Sequence, residues 1–294
     1  MVDIYGIAKK FIWQKLTSNG FKNNIIETQG FAIQYWDNQI DKDTLVLLHG
    51  FGAQTEFQWY KQLDVLAKQY RVIIPNLLYF GDTKPLDKPL YTMQDQAQLV
   101  SVLIEYLKID TFYLMGISYG GLVSMEYYIH NKNTVRSLIL IDSPIKFLNQ
   151  TDLDNICTRY DTPSIIDFFA PKSFIGLKKQ LQASYYRSVY IPDFMLKNFY
   201  EKLCLPNLNK WEKLIAHLLD NMDAYNKRDY ITECPVLLVW GEHDDIIPLR
   251  VGQQLSTYFK DCTFKVIPKT KHIPNIEKAS VFNRILLDFL SEND

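Results

Sequence analysis

Phe112-Tyr113-Leu114-Met115-Gly116-Ile117-Ser118-Tyr119-Gly120 decides how this chain is read: an apolar run leads into a serine with a glycine two residues away on either side. A serine hydroxyl is a poor nucleophile until a base takes its proton, so the chemistry needs it held clear of the backbone on a tight turn between a strand and a helix. Gly116 and Gly120 provide that room, and the pattern is that of a nucleophile elbow. The stretch from Gly121 to Tyr128 can form the helix that follows. The pattern G-x-S-x-G is short enough to arise by chance in a Gly-rich turn, so its weight comes from what surrounds it.

Upstream, Thr44-Leu45-Val46-Leu47-Leu48 is a short apolar run, as expected of a strand buried on both faces of a parallel sheet, and it ends in His49-Gly50-Phe51-Gly52. Downstream, Pro235-Val236-Leu237-Leu238-Val239-Trp240 is a second buried strand candidate and ends in Gly241-Glu242-His243-Asp244-Asp245. Further on, Phe264-Lys265-Val266-Ile267-Pro268 precedes Lys271-His272-Ile273-Pro274 and an amphipathic stretch from Ile276 to Leu290. Serine, acid and histidine thus follow one another in that chain order, each at the carboxyl end of a strand.

In these motifs and their order the chain resembles the α/β-hydrolase superfamily, in its lid-bearing serine esterase and lipase type, over roughly residues 25–290. The resemblance implies an α/β fold with a mostly parallel eight-stranded sheet flanked by helices and an inserted helical lid. It implies Ser118 as nucleophile, Asp244 as acid and His272 as base, with the backbone N–H groups of Phe51 and Tyr119 as the oxyanion hole. Two departures stand out. Asn76-Leu77-Leu78-Tyr79-Phe80-Gly81-Asp82-Thr83 occupies the place where the family often has D-x-R-G-x-G-x-S, and Lys271 precedes the histidine where Gly is common.

Rivals exist for each role. Ser124 and Ser143 lack an elbow. Asp142 follows the sixth strand candidate, a position some family members use for the acid, and Asp245 adjoins Asp244; the G-x-x-D spacing from Gly241 favours Asp244. His49 belongs to the oxyanion motif and is expected to be structural, His130 and His217 lie in helical stretches, and His243 precedes the acid.

At 294 residues and 47% hydrophobic content the chain can bury a large core, and it fits one domain with an insertion better than two independent ones. A net charge of −1 gives no sign of nucleic-acid binding. Cys157, Cys204, Cys234 and Cys262 are widely spaced, which indicates neither a disulfide framework nor a zinc site. No apolar run approaches the roughly 18 residues of a membrane span. Lys9 and Lys10 interrupt any secretory segment, which points to the cytoplasm.

Strand candidates are Asn24–Thr28, Phe31–Asp37, Thr44–His49, Arg71–Asn76, Thr111–Ile117, Ser137–Asp142, Pro235–Trp240 and Thr263–Pro268. Helical stretches alternate with them, such as Thr92–Leu107 with Thr92 as N-cap and Asp95 in the first turn, and such alternation implies a parallel sheet. The expected organisation is a helix in 1–22, a core in 23–144 and 229–294, and a lid in 145–228, where strand-like runs cease and prolines break a helical pattern. The lid's aromatic share is close to the 14% of the whole chain, so it gives no substrate clue. Tyr185, Tyr186 and Tyr190 are expected to be structural, and Lys178, Lys179 and Arg187 to lie on a solvated face. In the N-terminal segment Ile4, Ile7, Ala8, Phe11, Ile12 and Leu16 share a helical face. That face suits either peripheral contact with a membrane or packing on the core, and packing is the commoner fate of such a helix.

The expected activity is carboxylic-ester hydrolysis of a small hydrophobic ester through an acyl-enzyme, with no metal or organic cofactor required. The first alternative is a C–C bond hydrolase of vinylogous diketones (the meta-cleavage product type). Those enzymes usually carry Trp directly after the catalytic histidine, where this chain has Ile273. The second is a non-enzymatic ligand receptor on the same fold. A serine at the elbow argues against dehalogenase and epoxide-hydrolase chemistry. Substrate-binding residues, the natural substrate and the oligomeric state stay open.

Overall fold

The apolar runs pair side by side into one sheet in the computed structural model, which describes residues 3–293. Its strands are β1 (Lys22–Thr28), β2 (Phe31–Asp37), β3 (Thr44–Leu48), β4 (Arg71–Pro75), β5 (Lys84–Pro85), β6 (Phe112–Ile117), β7 (Val135–Ile141), β8 (Val236–Gly241) and β9 (Cys262–Ile267). The order is β1-β2-β4-β3-β6-β7-β8-β9, with β5 paired to β2. From β4 to β9 along this order every pairing is parallel, whereas β2 runs antiparallel to both β1 and β4. The sheet therefore has nine strands among the described residues rather than the expected eight. The extra one is two residues long and contains Pro85, too short and too Pro-bound to show as a periodic run.

Side chains alternate across this sheet, and both faces are covered. Val46, Leu48, Leu138 and Leu140 belong to one core cluster, while Leu45, Leu47, Ile139 and Ile141 belong to the other. That is why the strands read as unbroken apolar runs. The helix Met93–Tyr106 begins at a capping box: Thr92 Oγ1 accepts the Asp95 N–H at 2.9 Å, and Asp95 returns the favour to the Thr92 N–H at 2.8 Å.

Between β7 and β8 the chain makes no strand, and its helices run from Gln150–Arg159 to Met222–Lys227. One break carries a five-residue π-helical turn at Tyr200–Cys204, just ahead of Pro206.

The helix Ile4–Ser18 corrects the expected apolar face. Tyr5, Ile12 and Leu16 are the buried positions, whereas Ile7 and Phe11 are 60% and 67% exposed. The docking face is set by aromatic residues with polar tips. The Trp13 indole N–H donates to Glu56 at 3.0 Å, its ring meets Trp36 edge-on, and the Tyr5 hydroxyl donates to Gln54 at 2.9 Å. No helix among the described residues is long and apolar enough to cross a membrane.

Candidate active site

Ser118 sits between the end of β6 and the helix Tyr119–His130, at φ 52° and ψ −119°, a conformation that ordinary side chains avoid. Three backbone bonds hold it there: its N–H donates to Ile141 at 2.8 Å, and its carbonyl accepts from Gly121 at 2.9 Å and Leu122 at 3.2 Å. The neighbouring glycines are required by contact. A Cβ on Gly116 would lie 2.3 Å from the Gly120 carbonyl oxygen, and a Cβ on Gly120 would lie 2.3 Å from that of Leu48. The rival serines are committed elsewhere, Ser124 Oγ donating to the Gly120 carbonyl and Ser143 Oγ to that of Ile141, each at 2.8 Å.

Asp244 and His272 meet. His272 Nδ1 and Asp244 Oδ2 are 2.8 Å apart, and Asp244 Oδ1 accepts from the N–H groups of Ile246 at 2.8 Å and Ile247 at 3.1 Å. With two fixed donors on one oxygen and the imidazole on the other, the carboxylate is oriented before any substrate arrives. Neither rival acid takes that position. Asp142 Oδ1 accepts the Gly241 N–H at 2.9 Å. Asp245 pairs with Lys271 at 2.6 Å and with Arg159, and accepts from the Tyr160 hydroxyl at 2.7 Å. This cluster accounts for the departure at position 271. Lys271 spans from the histidine loop to the inserted helices, donating also to the Gln182 carbonyl at 3.1 Å.

The remaining histidines make other contacts. His49 is fully buried, donating from Nδ1 to the Gly50 carbonyl at 2.8 Å and accepting the Leu77 N–H on Nε2 at 3.0 Å, and burial pushes its pKa down to about 4. It is a neutral strut between the loop after β3 and the loop after β4. His243 stacks on Tyr186, and His130 and His217 lie near the ends of their helices. The unusual loop Asn76–Thr83 is tied down through Gln34, whose Oε1 accepts from Asn76 Nδ2 and from the Asp82 N–H, both at 2.9 Å. Gly81 has φ 55°, and a Cβ there would meet that Gln34 oxygen at 2.3 Å.

Ser118, Tyr119 and Phe51 line one cavity. Tyr119 is the first residue of its helix, so its N–H is one of the donors a helix start leaves without an intrahelical acceptor; Phe51 lies beyond the last residue of the β3 ladder. The other walls come from Pro144, Ile246 and Ile247 and from the inserted helices, through Leu153, Ile156, Phe169, Ile215, Leu218, Leu219 and Met222. Most of these wall residues were missed from sequence, although 215, 218, 219 and 222 carry an i, i+3, i+4, i+7 spacing that marks one helical face. Tyr185, Tyr186 and Tyr190 do not line the cavity, and Tyr190 is 89% exposed. Lys178 and Lys179 pair with Asp193 and Asp161 at the surface.

A family profile for the alpha/beta hydrolase fold matches residues 43–279. A 2-hydroxy-6-oxononadienedioate/2-hydroxy-6-oxononatrienedioate hydrolase of Paraburkholderia phymatum is 25% identical over 272 residues, covering 88% of this chain and 91% of its own. Among solved structures, a membrane phospholipase A described as a bacterial virulence factor superposes with a TM-score of 0.82 at 19% identity, covering 99% of this chain and 93% of its own. A meta-cleavage product hydrolase of Pseudomonas fluorescens superposes with a TM-score of 0.78 at 19% identity, covering 92% of this chain and 98% of its own.

Proposed function

Because the chain belongs to the alpha/beta hydrolase family, we propose that it is a serine hydrolase that cleaves carboxylic esters of apolar acyl groups. His272 Nε2, the ring nitrogen that Asp244 leaves free, takes the Ser118 proton as Oγ attacks the ester carbonyl. Asp244 fixes the tautomer and stabilises the imidazolium, and the N–H groups of Phe51 and Tyr119 receive the oxyanion. The alcohol leaves with the proton from His272. Water, deprotonated by the same nitrogen, then releases the acid and restores Ser118. The helices inserted between β7 and β8 act as the lid whose side chains measure the acyl group.

The observation that carries the ester reading is the cavity wall beside Ser118. Apart from Ser118 and Asn226, it is built from aliphatic and aromatic side chains, with no Lys, Arg or His among its lining residues. The cations next to the triad, Lys271 and Arg159, are engaged by Asp245. An anionic substrate would enter such a wall at a desolvation cost with no counter-charge to offset it.

C–C bond hydrolysis of vinylogous diketones is the second reading, and the curated relatives favour it over an ester. Several are named as hydrolases of hydroxy-oxo-dienoates, in Paraburkholderia phymatum and in Pseudomonas putida among others. Their substrates are carboxylates by name, which the wall described above does not match, and Ile273 follows the histidine here.

Turnover of p-nitrophenyl esters of graded chain length, measured beside a 2-hydroxy-6-oxo-dienoate, decides between the two. The ester reading expects kcat/KM to rise with acyl length to an optimum and to exceed that for the dienoate. A dienoate turned over faster than every ester would overturn it.

A further inference from the structure

The cavity, the four thiols, the Lys271–Asp245 cluster and the exposed Ile7 and Phe11 find their place in the site above or lack an identifiable partner, but one buried acid does not. Asp142 is the first residue after β7, with φ 43°, and none of its side chain is exposed. Its N–H donates to the Val239 carbonyl at 3.1 Å, and its Oδ1 accepts from the Gly241 N–H at 2.9 Å. Its Oδ2 is buried with no donor facing it. Burial raises its pKa well above the usual carboxylate range, and the next largest cause is the neighbouring carboxyl of Asp244. The charged and titratable groups that bear on it are Asp244 and, more weakly, Glu277, both acidic. Glu277 is itself occupied, accepting the N–H groups of Lys271 and Tyr186, each at 2.8 Å.

Asp142 and Asp244 lie out of water on either side of Gly241, whose N–H goes to Asp142 Oδ1 and whose carbonyl accepts the Asp244 N–H at 3.2 Å; as carboxylates both are acceptors, so neither would satisfy the other. One proton between them changes that. The proton belongs on Asp142, because both Asp244 oxygens already have partners, Oδ1 the N–H groups of Ile246 and Ile247 and Oδ2 the His272 ring, whereas Asp142 Oδ2 has none.

We propose that Asp142 is kept as a neutral acid whose Oδ2–H donates to the Asp244 carboxylate, making it the positioning residue behind the triad. This rests on the triad reading above and extends it by one residue. Asp142 touches neither the cavity nor the imidazole; it acts by holding the Asp244 carboxyl plane and by keeping that group an acceptor. The sign with pH follows. The folded protein retains a proton that an unfolded aspartate releases near its ordinary value. Stability from this group is therefore present in acid and is lost as pH rises toward the folded value, when a second negative charge would appear beside Asp244.

The test uses Asp142→Asn and Asp142→Ala in the full chain, with Asp244→Asn as reference. Asn keeps an N–H donor toward Asp244 and an acceptor for Gly241. It should hold kcat within about threefold, whereas Ala should lower kcat by about 10- to 100-fold at unchanged KM through misplacement of the acid. The native-minus-Asp142→Asn infrared difference spectrum at neutral pH should contain the carbonyl stretch of a protonated carboxyl, shifted in D2O. Only carboxylate bands in that spectrum, an Ala variant with native kcat, or an Asn variant as impaired as Ala would each overturn the proposal. If Asp244→Asn itself keeps native turnover, the triad reading has failed instead.

Discussion

Replacing Ser118 by glycine should make the folded protein more stable than replacing it by alanine. With φ 52° and ψ −119°, Ser118 occupies backbone space that only glycine visits freely, and strain of this kind costs about 1–3 kcal/mol. Alanine keeps the Cβ and hence the strain, while glycine removes it. Against this, the unfolded glycine chain gains freedom that works against folding by about 0.4–1 kcal/mol. The difference leaves Ser118→Gly ahead of Ser118→Ala by roughly 0–2.6 kcal/mol, up to a few degrees in Tm for a chain of this size. Both variants lack the nucleophile, so urea unfolding of the two reads stability alone, with equal m-values expected. A glycine variant clearly less stable than the alanine variant would mean that the elbow stores no strain and that its geometry has another origin.

Asp244→Asn should lower turnover by about 10⁴-fold through the wrong histidine tautomer, as the same change does in serine proteases, measured as kcat on the best ester. Deleting residues 1–18 removes the buried Tyr5, Ile12 and Leu16 and should lower stability by several kcal/mol, read by denaturant unfolding. An unchanged midpoint would show that the helix does not share the core. Met222→Trp fills the cavity wall and should move the chain-length optimum toward shorter acyl groups without abolishing turnover. An unchanged optimum would place the acyl group elsewhere.

Much of the fold was legible because the central strands β3, β4, β6, β7 and β8 of a parallel sheet covered on both faces leave apolar runs in the sequence, while the half-exposed edge strands β1 and β9 show weaker patterns. The candidate site's geometry was legible where a motif constrains the backbone: the glycines around Ser118 are needed to avoid contacts of 2.3 Å, and Gly241 precedes Asp244 by three residues. What was not legible depends on pairing across long separations. Ile7 and Phe11 share the apolar composition of Ile12 and Leu16, and only the partners of Tyr5 and Trp13 decide which face docks. Lys271 reads as a departure until Asp245, Tyr160 and Gln182 surround it. Asp142 reads as a rival acid until Gly241 occupies one of its oxygens. The bond that is cleaved is the least legible feature, because one elbow, acid and histidine serve ester and C–C cleavage alike.

The most direct test of the central claim is the mass of the intermediate. Rapid acid quenching during turnover of a p-nitrophenyl ester, followed by peptide mapping, should find the acyl group on the peptide that contains Ser118, accumulating in a burst and absent from Ser118→Ala. A covalent adduct on another residue, or full turnover by Ser118→Ala, would contradict the account.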